Sequence, residues 1–156
     1  MKAINLESLL GNAFDDEIIK EAIDYFALPK ERPRIPSGNS YIGIESPTKG
    51  IDINFSPVEY IDYLDQERYP EGTLLATAIF LYRNGIDGHS QFENELPHHL
   101  TFSTTRTDAS KILGNPSWSS PMLPIDRWVY GRHQMIIDFS KNEEQINILT
   151  LQLIRK

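Results

Sequence analysis

Residues 100–153 pack one helix and three strand-like runs into a short span, with little more than turns between them. Thr107 is placed to cap a helix over Asp108–Leu113, Gly114 supplies a stop, and Pro116 prevents the helix from resuming. Asp126–Tyr130, Gln134–Phe139 and Ile146–Leu153 follow, each sending successive residues to two opposite faces. A helix followed at once by short alternating runs is an α+β unit built from local turns. It contains no catalytic signature.

The first hundred residues have a similar texture. Leu6–Leu10 reads as a short helix ended by Gly11-Asn12. A second helix begins after Phe14, where Asp15, Asp16 and Glu17 suit the positive end of its dipole. Its apolar positions Ile18, Ile19, Ala22, Ile23 and Phe26 form a helical stripe, and Pro29 closes it. Pro33, Pro36 and Gly38 make the next segment a loop. Tyr41–Glu45 and Ile51–Phe55 read as a hairpin, and Asp52 and Asn54 give the second strand one wet face. Pro57–Arg68 fits either a short helix or an irregular excursion. Thr73–Tyr82 is apolar on both faces and reads as a central strand. Asn84-Gly85 and Asp87-Gly88 are turns, and His89–His99 reads as a polar loop.

One order recurs. Pro29, a loop, Tyr41–Glu45 and the strand ending Asn54-Phe55-Ser56 are echoed by Pro116, a loop, Asp126–Tyr130 and the strand ending Asp138-Phe139-Ser140. From proline to phenylalanine the spacing is 26 residues in the first case and 23 in the second. Two readings stand: two helix–strand–strand units sharing one sheet, or chance reuse of a common order. The expected architecture is one α+β domain over residues 1–156. In it, two or three short helices pack on a twisted antiparallel sheet of about six strands.

Charge is unevenly distributed. Residues 1–71 hold 14 acidic and 7 basic side chains, a balance of −7, while residues 72–156 hold 8 of each. Such a surface repels nucleic acid and speeds encounter with a basic partner. It also simply keeps a domain dispersed. With no cysteine, disulfides, thiolate metal sites and a cysteine nucleophile are excluded. Met1–Leu10 carries Glu7 and no long apolar run, so no signal peptide is expected there and a cytoplasmic location is the plain expectation.

The residues with metal-ligand chemistry are His89, Glu93, Glu95, His98 and His99. No two of these histidines stand four apart, as a His-Glu-x-x-His site requires, and Gly85, Gly88 and Pro97 argue for a mobile, solvated loop. There is no Gly-x-Ser-x-Gly elbow, phosphate-cradling loop or dinucleotide fingerprint, and no carboxylate pair is singled out. The favoured site is instead a run of acids interleaved with tyrosines. It comprises Glu59, Tyr60, Asp62, Tyr63, Asp65, Glu67, Tyr69 and Glu71, preceded by Asp52 and interrupted by the single base Arg68. Aromatic anchors with steering charges suit a protein-binding surface. The alternative is a solvated face whose tyrosines pack inward. Trp128 and Tyr130 read as core or half-buried aromatics rather than ligand-stacking groups, and Trp118 as a more exposed one that covers a sheet edge or touches a partner.

The segment Thr104–Pro116, with its Leu-Gly-x-Pro ending, then Arg127-Trp128-Val129-Tyr130 and Met135–Ser140, resembles a recurring bacterial arrangement. It is similar to the small lipoproteins of outer-membrane assembly, to proteinaceous β-lactamase inhibitors, and to immunity proteins of polymorphic and contact-dependent toxin systems. The lead-in Leu96-Pro97…Leu100-Thr101-Phe102 is most like the immunity proteins. The likeness covers about a third of the chain, and no cysteine is present to carry a lipid. It implies a non-enzymatic cytoplasmic antidote, without cofactor or metal, that binds one cognate toxin protein, often a basic nuclease domain. The competing expectations are a small metal-dependent enzyme using His89, Glu93, His98 and His99, and a protein-binding adaptor using the same acidic face.

Overall fold

A computed structural model describes residues 4–61 and 68–154. The described residues form two α-helices, several 3₁₀ turns and one antiparallel sheet of seven strands. The strands are β1 (Ile42–Ser46), β2 (Ile51–Pro57), β3 (Leu74–Tyr82), β4 (Trp118–Ser119), β5 (Ile125–Tyr130), β6 (His133–Phe139) and β7 (Ile146–Leu153). Their order across the sheet is β1-β2-β3-β7-β6-β5-β4. The expectation of about six strands fell one short because β4 is a two-residue edge strand carrying Trp118, inside a segment read as a Pro-rich loop.

Helix α1 (Glu17–Tyr25) turns Ile19, Ala22 and Ile23 inward, the spacing that gives a helix one apolar face. It stops before Pro29. Ala27 adopts a left-handed φ of 54°, and Leu28 N–H donates to the Ile23 carbonyl at 2.9 Å, a Schellman-type closure. Helix α2 (Arg106–Leu113) starts earlier than its sequence suggests. Thr105, not Thr107, is the cap, and its side-chain oxygen accepts from Asp108 N–H at 3.1 Å. The earlier start puts Arg106 at the first helical position, where it reaches across to the sheet.

Both helices contribute to one core with Ile53, Phe55, Ile79, Leu81, Met135, Ile137, Leu149 and Leu151, which line a single face of the sheet. Trp128 shares that face, 3% exposed, and donates its indole N–H to the Gly114 carbonyl at 3.0 Å. Asp126 lies on the same face, 2% exposed, clamped by Arg106 through Nε at 3.0 Å and a terminal nitrogen at 2.7 Å. The second terminal nitrogen of Arg106 reaches Glu143 at 2.6 Å. These two carboxylates raise the Arg106 pKa against the opposing effect of burial. Burial pushes the Asp126 pKa up, but the guanidinium and Ser119 more than offset it and hold Asp126 below its ordinary value.

The β2–β3 ladder shifts register between Asn54 and Phe55, skipping Thr77; the β6–β7 ladder shifts between Asp138 and Phe139, skipping Asn147. Each shift is a β-bulge, which bends the strand and increases its twist. At the sheet centre β3 and β7 run antiparallel, pairing Ala78 with Gln152, Phe80 with Thr150 and Tyr82 with Ile148.

Candidate partner-binding surface

The acid–tyrosine run is only partly described. Asp62, Tyr63, Asp65 and Glu67 lie outside the described residues. Tyr60 is 54% exposed at the end of a 3₁₀ turn over Val58–Tyr60. The Glu59 carboxylate accepts from Gly72 N–H at 3.0 Å, which ties the two ends of the excursion together. Glu71 is exposed. Tyr69 turns inward onto Ala13, Val58, Ile61 and Leu75, and Arg68 sits over its ring at 5.8 Å. Of the two described tyrosines, then, one is presented to solvent and the other helps build a small second core.

The histidine loop is neither polar throughout nor loose. Phe92, Leu96 and Leu100 are buried in the main core, and Ser90 N–H donates to the Pro47 carbonyl at 2.7 Å. Its candidate ligands are also dispersed. His89 is 6% exposed and bonds Asp52, His98 faces Glu7, and Glu93, Glu95 and His99 are exposed. Among the described residues no group of three His, Asp or Glu side chains is placed to hold a metal ion. The Glu7 carboxylate lies between two histidines, 2.5 Å from His133 Nε2 and 3.6 Å from His98 Nε2, and the Tyr130 ring stacks with each of them.

The sheet's second face is the larger feature. The pairings run one row of side chains across all seven strands: Glu45, Asp52, Phe80, Thr150, Ile136, Arg127 and Trp118. A neighbouring row contains Gly43, Asn54, Ala78, Gln152, Gln134 and Val129; the row on the other side contains Tyr82, Ile148, Asp138 and Ile125. Side chains alternate along a strand, so all of these point away from the helices. Trp118 is 46% exposed and Val129 45%, while Phe80, Ile136 and Ile148 are partly exposed. Arg127 lies over the Trp118 ring at 5.5 Å. At the tip of the β4–β5 hairpin, Met122 and Leu123 are also exposed.

One corner of this face is fixed by a buried network. The turn over Ile86–Gly88 brings His89 onto Tyr82, with ring centroids 3.7 Å apart and planes 11° from parallel. His89 Nε2 meets Asp52 Oδ1 at 2.8 Å, His89 Nδ1 meets the Asp87 carbonyl at 2.8 Å, and Tyr82 O–H donates to Asp52 Oδ2 at 2.8 Å. Both imidazole nitrogens therefore face acceptors, an arrangement that suits the doubly protonated ring. Burial alone would lower the His89 pKa, but the bonds to Asp52 and to backbone carbonyls more than offset it and raise it. Burial and the Asp52 carboxylate push the Tyr82 phenol up. Asp138 on β6 is raised by burial and then by the charge of Asp87.

The sequence marked Asp52 and Asn54 as a wet face and Trp118 as exposed; Trp118 is, but Asp52 is buried beneath His89 and Tyr82 and Asn54 is only partly exposed. It did not reveal that one row joins Asp52 to Trp118, because registry between strands far apart in the chain is not written in any local pattern. Comparison with protein-family models, with curated proteins and with solved structures returned no match.

Proposed function

We propose that this chain is an immunity-type protein: a non-enzymatic antidote that binds a cognate basic toxin domain, of the nuclease kind, in the cytoplasm and neutralises it. One observation carries the reading. The described acids of the first half make few ion pairs among the described residues. Among the described residues of that half, Glu7, Asp24 and Asp52 make ion pairs, while Asp15, Asp16, Glu17, Glu21, Glu31, Glu45, Glu59 and Glu71 make none. A half carrying −7 in this way leaves its field available to a positively charged protein. The resemblance of residues 104–140 to immunity proteins supports the same reading. The two bulges, which fall at the two Phe-Ser strand ends, support treating the chain as two helix–strand–strand units on one sheet.

The test is co-expression with the toxin domain encoded beside this chain's gene in cells which that toxin kills. The antidote restores growth, and the purified pair elutes together. Charge reversal at Asp62 and Asp65, between the exposed Tyr60 and the inward Tyr69, slows association and makes it less salt-sensitive. Failure to protect, or stoichiometric zinc or manganese in the purified chain together with a turnover, refutes the proposal.

A further inference from the structure

We infer that the docking surface is the sheet face turned away from α1 and α2, centred on Phe80, Ile136, Arg127, Val129 and Trp118, and that its occupant is a basic protein surface. This rests on the reading of the chain as a toxin-binding antidote and adds where the toxin sits. Six inter-strand spacings of about 4.8 Å make the face roughly 29 Å wide. At about six residues per strand it is some 20 Å deep, roughly 600 Å² in outline. Ala13, Val58, Ile61 and Tyr69 cover Leu75 at one end, and Asp52, Ala78, Tyr82 and Thr150 are buried, so the open part lies mainly over β6, β5 and β4 and is smaller than the ~800 Å² per partner of a standard complex.

Phe80, Ile136, Ile148 and Val129 lie among the polar Thr150, Gln134 and Gln152, while Glu45, Asp52 and Asp138 are strung along the Tyr82 end of the face from β1 to β6, with Asp87 in the turn beside it. Asp52 is committed to His89 and Tyr82. Among the described residues Glu45, Asp87 and Asp138 make no ion pair. Asp87 and Asp138 also oppose each other, a repulsion that an incoming Lys or Arg removes. Arg127 is the one cation in the three rows, and it is held against Trp118. The complement is a partner presenting apolar side chains to Phe80, Ile136 and Val129, with Lys or Arg toward Asp138 and Glu45. The network of His89, Tyr82 and Asp52 holds the β2–β3 part of that end in place before the partner arrives, which spares its ordering on binding.

The test is amide and indole NMR on the ¹⁵N-labelled full chain. The probe is a 12-residue peptide of alternating Arg and Leu, with alternating Glu and Leu as the charge-reversed control. The Arg peptide is expected to shift Phe80, Ile136, Arg127, Val129 and the Trp118 indole; the Glu peptide is not. Val129→Arg, at an exposed position, weakens the Arg peptide at least tenfold without moving the melting temperature. The Asp138→Asn and Glu45→Gln pair lowers the affinity and flattens its salt dependence. Shifts confined to Glu59–Glu71 overturn this face and leave the immunity reading standing. Equal response to both peptides, no response at all, or sedimentation as a dimer that Val129→Arg dissolves also overturns it. Binding of the Arg peptide here by a chain that protects against no toxin removes the immunity reading alone.

Discussion

Replacing His89 by Phe separates the two contributions of this ring. The phenyl keeps an aromatic face against Tyr82, whose ring lies 3.7 Å from the imidazole, but it removes both N–H donors. The Asp52 carboxylate, 7% exposed, then keeps only the Tyr82 hydroxyl, and the Asp87 carbonyl loses its imidazole partner. Breaking a buried charged pair by removing one member costs about 3–5 kcal/mol. At about 2–4 °C per kcal/mol in a domain of this size, the melting temperature falls by roughly 6–20 °C. The cost depends on pH. His89 is raised above its unfolded value of 6.5, so its contribution is complete below that value and disappears as pH rises through the folded pKa. Urea unfolding of wild type and His89→Phe from pH 5.5 to 9 should show a gap that is widest at the acid end and shrinks toward the alkaline end. A gap of constant size, or one that widens with pH, refutes the doubly protonated imidazole.

Two other substitutions test the frame. Arg106→Met leaves the buried Asp126 without its guanidinium and should cost about 3–5 kcal/mol in denaturant unfolding at pH 7. Because Asp126 is depressed below 3.8, the wild-type advantage is present above that value and is lost as pH falls through the folded pKa, which an acid titration of both proteins checks. Gly50→Ala should cost at least ~2 kcal/mol in the same assay and should speed hydrogen exchange over Ser90–Phe92. Gly50 has φ +70°, and a Cβ there would stand 2.3 Å from the Ser90 carbonyl oxygen and 2.5 Å from Phe92 N.

The sequence yielded what short-range chemistry decides. Alternation located the strands, and the apolar run ending at Tyr82 marked the strand that became β3, inside the sheet. Trp128 went to the core as its position on the strand suggested. The misreadings share a cause: a distant residue decided between local options. Thr107 is as good a cap as Thr105 in isolation, but the helix starts where Arg106 meets Asp126, 20 positions on. His89 follows Gly85 and Gly88 in a polar stretch and still becomes buried, because Asp52 and Tyr82 wait for it across the turn. The acid–tyrosine segment was visible as composition alone. Which tyrosine faces solvent depends on Ala13 and Leu75, which pair in an isolated bridge outside the named strands and against which Tyr69 packs.

The seam between β3 and β7 sets the order in which a newly made chain can close. Phe80 meets Thr150, 70 positions later, so the ribosome must add those residues before the middle of the sheet gains its last neighbour. Until then Leu74–Tyr82, apolar on both sides, is an open edge able to template misassembly with other nascent chains. The other strand pairs join consecutive strands and close locally, so this one seam carries the long-range loop-closure entropy, and it is spent late.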